Sequence, residues 1–309
     1  MQFPKNIEEK VLALIDGQKL KNLKEKREHL TTKYKEQSGQ SKSLIESGDD
    51  SLIYAVSRMP ATYVVLNSLI NTLARQGLIG EIERVFDVGS GTGAGWFAIK
   101  DYDESIDCTM FERDKNMADI AKKLTDVQPV RFDLLKDNIE QTADLVLSSY
   151  VLSELTESDR IFATRKLAKM SDKYLLIVDT GTPKTYEEFM KLVPILEKEG
   201  YFVVAPCKTK KCSLENDYCQ FFARVERSAI LRASKGAELS YEDEKYFYLL
   251  LSKEKTDVQG NRVIRRPKFA PNLVEHTLCS SDGVIKKVYT KREKELFKKA
   301  KKASINDLI

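Results

Sequence analysis

The 309-residue sequence predicts an α/β protein built on a mostly parallel sheet. Two observations carry that expectation. From Arg84 onward, short runs rich in β-branched and aromatic residues alternate with helical stretches, the order that lays strands side by side with helices over both faces. The first run, RVFDVG, opens directly into a glycine-rich turn, FDVGSGTGAGW (Phe86–Trp96), a common way for a strand to pass into a helix beside a ligand.

Residues 1–36 read as helix, with Val11, Leu12, Leu14, Ile15, Leu20 and Leu23 on its apolar face. EQSGQSKSLIESGDD (Glu36–Asp50) is a Ser/Gly/Asp-rich loop or hinge. Helical periodicity resumes in SLIYAVSRMPATYVVLNSLINTLARQG, where Pro60 should kink or divide it and Gly77 stops it. The strand runs are RVFDVG, IDCTMFE, PVRFD, ADLVLSS, KYLLIVD (Lys173–Asp179), GYFVVAP (Gly200–Pro206) and EKYFYLLLSK (Glu244–Lys253). Short strands then surround RVIRRPKF, LVEHTLCSSDG and VIKKVYT, followed by a basic helix. This divides the chain into a helical region at 1–80, a sheet domain at 81–256 with a cysteine-rich insertion at 207–243, and a small basic β/α region at 257–309.

Composition is that of a soluble globular protein, 42% hydrophobic and 32% charged, with no run approaching the roughly 18–20 apolar residues of a membrane span. The N-terminus resembles neither a signal nor a transit peptide, so the expected form is a cytoplasmic monomer without membrane attachment. The net charge of +4 is unevenly spread. Ser252–Ile309 holds fifteen Lys/Arg against seven Asp/Glu. Within it, Lys286–Lys302 has nine basic and two acidic residues, with Leu296 and Ala300 as the stripe that holds the helix down. A single charge run is usually a solvated face. Concentrated at one end of the chain, it points instead to a polyanion, with RNA the obvious candidate.

The glycine loop carries Asp87, Gly89, Ser90, Gly91 and Gly93. Such glycines let the backbone turn sharply and approach a ligand. Glu112 closes the second strand about 20 residues on, where a carboxylate binds ribose hydroxyls. Asp133 closes the third, near the expected adenine edge, and Ser149 ends the fourth. A nicotinamide site would share much of this, but Asp-x-Gly-x-Gly-x-Gly fits S-adenosylmethionine better, with Asp87 ordering the loop and facing the ligand's amino-acid part. The absence of a P-loop Lys-Ser/Thr argues against a nucleoside triphosphatase. The expected fold is therefore a Rossmann-like, seven-stranded class I S-adenosylmethionine methyltransferase core with N-terminal helices, a cysteine-rich insertion and a small C-terminal β-unit with a basic helix. In that fold GYFVVAP and EKYFYLLLSK form an antiparallel hairpin at the sheet edge, with the insertion between them.

Cys207, Cys212 and Cys219 follow C-x4-C-x6-C, and Cys279 stands far downstream, while Cys108 lies within a strand as a small hydrophobe. In a reducing compartment clustered cysteines are ligands or reactive groups more often than disulfides. The spacing is wider than the usual paired zinc pattern, and leaves zinc and an iron–sulfur cluster both open. Lys208, Lys210 and Lys211 would offset part of the thiolate charge.

Several phrases together resemble one family, the methyltransferase-like ribosomal small-subunit assembly proteins of mitochondria and bacteria. They are SRMPATY, DVGSGTG, SSYVLSEL, DTGTPKTY, APC…C…C followed by QFFARVER, EKYFYLLLSK and KKAKKASINDL, covering the chain from about Ser51 to its end. The resemblance implies a 4Fe-4S cluster on Cys207, Cys212, Cys219 and Cys279, and association with small-subunit rRNA. It departs from the family where Lys208 and Thr209 replace a Pro-His pair, and where Gln220 replaces a His.

Catalysis is less legible. The loop after the fourth strand offers Tyr150 and Glu154 as candidates. It lacks the Asn/Asp-Pro-Pro-Tyr/Phe sequence of amino-group methylation, and no cysteine is placed for attack on a pyrimidine. Two classes stand: an rRNA methyltransferase, with zinc as the alternative metal, or a non-catalytic rRNA-binding assembly factor holding the same cofactors. A small-molecule methyltransferase is disfavoured by the basic C-terminal region.

Overall fold

The computed structural model describes residues 3–15, 22–207, 212, 214 and 217–309. The expectations for Leu20 and for Lys208, Lys210 and Lys211 lie outside those residues.

The N-terminal helical expectation resolves into α1 (Lys5–Ala13) and α2 (Leu23–Gln37). Phe3, Ile7, Val11, Leu23 and Leu30 are buried and join the main core. A Ser47–Asp50 capping box opens α3 (Gly48–Ser57), satisfying the backbone donors at its start. Arg58 ends α3 and begins α4 (Met59–Arg75), with Pro60 in the first turn of α4, where its missing N–H costs nothing. The proline thus divides the helical run in two. Helix α4 is buried along most of its length.

The main sheet takes its strands in the order β3-β2-β1-β4-β5-β8-β6. These are β1 (Arg84–Val88), β2 (Asp107–Glu112), β3 (Val130–Arg131), β4 (Ala143–Ser149), β5 (Ser171–Thr180), β6 (Phe202–Ala205) and β8 (Tyr241–Ser252). The first five run parallel, whereas β8 is antiparallel to both β5 and β6. This is the arrangement expected of the methyltransferase core. Helices α5 (Ala94–Tyr102), α6 (Lys115–Thr125), α7 (Glu157–Met170), α8 (Pro183–Met190) and α9 (Val193–Lys198) connect the strands. Phe86, Phe111 and Phe132 pack edge to face, with centroids 5.0 and 5.3 Å apart, and tie the first three strands together.

The sheet has eight strands rather than seven. The extra strand, β7 (Phe221–Glu226), pairs with β8 from Phe221↔Tyr246 to Glu226↔Tyr241. Its origin is a mismatch of length: β8 has twelve residues and β6 only four, so half of one edge of β8 is left for another strand. Strand β7 fills it, in line with β6, and the cysteine-rich segment joins the two. Helix α10 (Ala229–Lys235) follows.

The C-terminal unit is a second sheet in the order β10-β11-β12, with β9 paired to β11. Its strands are β9 (Arg262–Val263), β10 (Lys268–Ala270), β11 (Leu273–Ser280) and β12 (Gly283–Thr290), followed by α11 (Glu295–Lys302). Leu296 does not hold α11 down: it is 55% exposed, while Ala300 is buried and Phe297 packs beside it against Val274 and Tyr289. Residues three apart share a helix face, and the helix begins at Glu295, which turns Leu296 outward. Among the described residues no helix is long and apolar enough to cross a membrane.

Candidate cofactor pocket and cysteine site

Strand β1 pairs with β2 on one side and β4 on the other, so the crevice at their carboxyl ends is where an open α/β sheet accepts ligands. The backbone N–H groups of Gly89 and Ser90 both donate to the Phe111 carbonyl, at 2.9 and 3.0 Å, pinning the loop to the end of β2. Gly89 has φ +76°, and a Cβ there would collide with Val151. Gly91 lines the crevice, and Gly93 begins α5 in the left-handed region. Ser90 is buried and its hydroxyl has no partner among the described residues.

The cavity encloses about 870 Å³ of empty space, part of it open to solvent. Of the sequence candidates, Gly89, Gly91, Glu112, Asp133, Ser149, Tyr150 and Glu154 line it. Asp87 does not. It is fully buried beneath the loop, where its carboxylate packs against Gly95 in the first turn of α5. Among the described residues neither carboxylate oxygen finds a hydrogen bond of good geometry. Burial first, and then the charge of Glu112, push Asp87 up to about 7, with the Trp96 N–H pulling the other way.

Glu112 is tied to the backbone. One carboxylate oxygen accepts the Gly91 N–H and the other the Asp114 N–H, both at 2.7 Å. Burial raises its pKa while these two bonds oppose the rise. Each oxygen keeps a lone pair that can meet a ligand hydroxyl. Asp133 accepts the Leu135 N–H at 3.0 Å and holds Lys136 at 3.6 Å.

The chain leaves β4 through Tyr150, a non-glycine residue at φ +57°, whose hydroxyl is buried and has no partner among the described residues. Burial and the nearby Glu244 charge push its pKa far up. Glu154 is half-buried and pushed up to about 8, by desolvation first, then by Asp179 and Glu112.

Sequence reasoning missed the strap over this cavity. Ser41, Lys42, Ser43, Leu44 and Ile45 line it, together with Tyr34 from α2 and Tyr54 from α3. The N–H groups of Gly39 and Ser41 both donate to the Glu154 carbonyl, at 3.1 and 2.9 Å. The Ser41 hydroxyl donates to Asp159 at 2.5 Å and accepts the Thr156 N–H at 2.9 Å. The Ser43 hydroxyl reaches Asp114 at 3.3 Å. Leu44 and Ile45 are buried, which seats the strap on apolar contacts as well. The one available signal was a Ser-rich hinge containing a buried Leu-Ile pair.

All five cysteines are free thiols, and Cys108 is buried within β2, as expected of a small hydrophobe. Burial raises the Cys207 thiol, and Cys219, Cys279 and Cys212 raise it further, while Arg262 pulls it down. Cys219 is pushed up to about 12 by burial, then by Cys212 and Cys279, with Arg265 opposing. The four predicted thiols therefore share one electrostatic neighbourhood. Among the described residues, however, no group of three or more His, Cys, Asp or Glu side chains is arranged to hold a metal ion.

Arg262 of β9, opposite Cys279 in the strand register, is fully buried beside this group. Its Nε–H donates to the Pro206 carbonyl at 3.0 Å, and Nη1 donates at 3.0 Å to Gln76 and to two oxygens of Asn306. Nη2 has no partner, and no carboxylate pairs with it among the described residues. A buried guanidinium without an anion is costly. Its charge acts on the neighbouring Cys207 thiol, opposing the rise that burial causes there.

The sequence model described as Rsm22, mitochondrial small ribosomal subunit Rsm22, matches residues 48–309. No match was found among curated protein sequences. Among solved structures, the chain is similar to the plantazolicin methyltransferase BpumL in complex with a substrate analog and S-adenosylhomocysteine, at 14% identity and a TM-score of 0.47, over 77% of this chain and 98% of that one. It is also similar to magnesium protoporphyrin IX methyltransferase from Synechocystis with bound S-adenosylmethionine, at 13% identity and a TM-score of 0.42, over 78% and 99% of the two chains. A TehB-like S-adenosylmethionine-dependent methyltransferase from Corynebacterium glutamicum is similar at 18% identity and a TM-score of 0.39, over 63% and 88%.

Proposed function

Since the chain belongs to the Rsm22 family of the mitochondrial small ribosomal subunit, we propose that it binds S-adenosylmethionine at the β1–β4 crevice and acts on small-subunit rRNA during ribosome assembly. The observation that carries this is the joining of the two signals in one chain. The family match spans 262 of 309 residues, and it contains a glycine loop whose Gly91 is fixed by Glu112 at the cavity wall.

When bound, S-adenosylmethionine supplies an electrophilic methyl group. The chain's part is to bind and orient it. Glu112 has lone pairs free for ribose hydroxyls, Asp133 on the cavity wall is the candidate for the adenine edge, and the Gly89–Gly91 backbone is the candidate for the amino-acid part. Asp87 acts from beneath the loop, through its packing on Gly95 rather than by touching the ligand.

Between the two readings, an rRNA methyltransferase and a non-catalytic assembly factor, Glu154 and Tyr150 are the residues on which catalysis would turn. Burial pushes Glu154 up to about 8, near the range in which a carboxyl group exchanges protons around neutral pH. The Tyr150 hydroxyl is sealed in protein and strongly acid-weakened. Mass analysis of rRNA from a deletion strain tests this. Unchanged methyl marks with stalled small subunits support the factor, and a missing mark supports the enzyme. Calorimetry that detects no S-adenosylmethionine binding would overturn both.

We further propose that Cys207, Cys212, Cys219 and Cys279 hold a 4Fe-4S cluster. Support comes from the shared neighbourhood of the four thiols and from the buried Arg262 guanidinium, which no carboxylate meets among the described residues and whose charge suits a thiolate-bound centre. Anaerobically purified protein should absorb broadly near about 400 nm. A colourless protein with stoichiometric zinc would replace the cluster with the alternative metal.

A further inference from the structure

A second, larger recess lies away from the cofactor cavity and shares none of its lining residues. It encloses about 2150 Å³ of open space between α4, the edge strand β7, the loop before β10, and α11 with the residues that follow it. Its walls carry Arg75, Arg224, Arg266, Lys299 and Lys302 against a single acidic side chain, Asp307. We propose that this groove is the seat of a single-stranded segment of RNA. The proposal rests on the RNA reading above and deepens it by naming the surface and the form of the strand.

The cations are not equivalent. Asp307 is engaged by Arg75 at 2.9 Å and by the Ser304 N–H at 2.8 Å. Asp243, beneath the groove, accepts from Arg224 at 2.8 and 3.1 Å and from Arg266. Two carboxylates thus orient three guanidinium groups without cancelling the site's positive charge. Lys299 and Lys302, on α11, form no ion pair among the described residues. Both are exposed on the groove wall, suited to phosphate contact.

Aromatic rings accompany the charges. The Arg266 guanidinium lies 4.0 Å over the Phe222 ring, and Arg224 lies 4.3 Å over Tyr241. Phe269 is 61% exposed on the groove wall. A duplex keeps its base faces stacked inside and presents chiefly phosphates and groove edges. An unpaired strand has faces free to lie on Phe269 and on the Arg266 plane while its phosphates meet the lysines. Charge alone would accept either form; the exposed planar groups select the single strand.

The test uses the full-length protein and fluorescence anisotropy with two labelled probes, a 12-nucleotide uridine strand and a hairpin duplex. The single strand is expected to bind at least about tenfold more tightly than the duplex. Phe269→Ala should weaken its binding about tenfold, the loss of one stacked base. Lys299→Ala with Lys302→Ala should lower the slope of log affinity against log salt by about 1.4, at ~0.7 per phosphate contact on a single strand. Calorimetric S-adenosylmethionine binding and the circular-dichroism melt should remain unchanged in all variants. If wild type binds RNA and the groove variants bind equally well, the groove assignment is overturned while the RNA reading stands. Preference for the duplex overturns the single-strand assignment. Absence of binding to either probe overturns the RNA reading itself.

Discussion

Arg262 in the C-terminal unit donates its Nε–H to the carbonyl of Pro206 at the end of the main sheet, at 3.0 Å. The same guanidinium reaches Gln76 beyond the end of α4 and Asn306 near the C-terminus, so one buried side chain joins the two sheets and the helical layer.

Arg262→Met should therefore leave the Pro206 carbonyl and the Gln76 amide oxygen without this donor, while the two Asn306 oxygens keep the donors from Gln76 and Tyr248. Loss of charge-assisted bonds at a buried site costs on the order of 3 kcal/mol. Urea denaturation should register that loss, with proteolysis first attacking the C-terminal unit. A midpoint equal to wild type would show that the contact is dispensable.

Gly95→Ala should drive a methyl group into the Asp87 carboxylate and push α5 away from β1. About 1–3 kcal/mol of stability would go, as for other overpacked sites, together with S-adenosylmethionine affinity. Thermal melts and calorimetry measure the two effects separately.

Asp87→Asn tests the buried carboxyl through its pH dependence. The folded pKa, about 7, lies above the unfolded value of 3.8, so the folded state binds the extra proton between these limits. Stability from this group is complete below the unfolded pKa and falls as pH rises through the folded one. The variant carries no such charge. Its stability relative to wild type should grow from about pH 4 to pH 7 and level off above. A difference independent of pH would refute the assignment.

Ser41→Ala removes the bond to Asp159 and the acceptor for the Thr156 N–H, loosening the strap over the cofactor cavity. Roughly 1–2 kcal/mol is at stake, expected as an about five- to thirtyfold faster release of S-adenosylmethionine in stopped-flow fluorescence. An unchanged release rate would mean that the strap does not gate the cavity.

Cys279→Ser should abolish the absorbance near about 400 nm, loosen the C-terminal unit and weaken RNA binding, while leaving S-adenosylmethionine binding largely intact. Cys108→Ser should keep the colour. Equal loss of S-adenosylmethionine and RNA binding in the Cys279 variant would contradict this division.

What the sequence disclosed was local. The strand runs, the glycine loop and the break at Pro60 each depend on neighbours a few residues away, and each lies where the pattern expected. The misses are relations across the chain. Strand β7 exists because β8 outlasts β6, a length difference that no pattern within QFFARVER contains. Asp87 looked ligand-facing because it precedes the loop, but the approach of Gly95 seals it underneath. Leu296 looked like the anchor of α11 until the start of the helix at Glu295 set its direction. The strap escaped because its partners, Glu154 and Asp159, lie more than 110 residues away.

Strands β6 and β7 lie end to end along one edge of β8. Like a bracket with both feet bolted to one beam, the segment between them has its span set by β8 alone. Yet β8 begins fifteen residues after β7 ends, so a growing chain exposes Cys207, Cys212 and Cys219 before the strand that fixes their separation has been made. The two ends of that segment are therefore held in line only once β8 is in place.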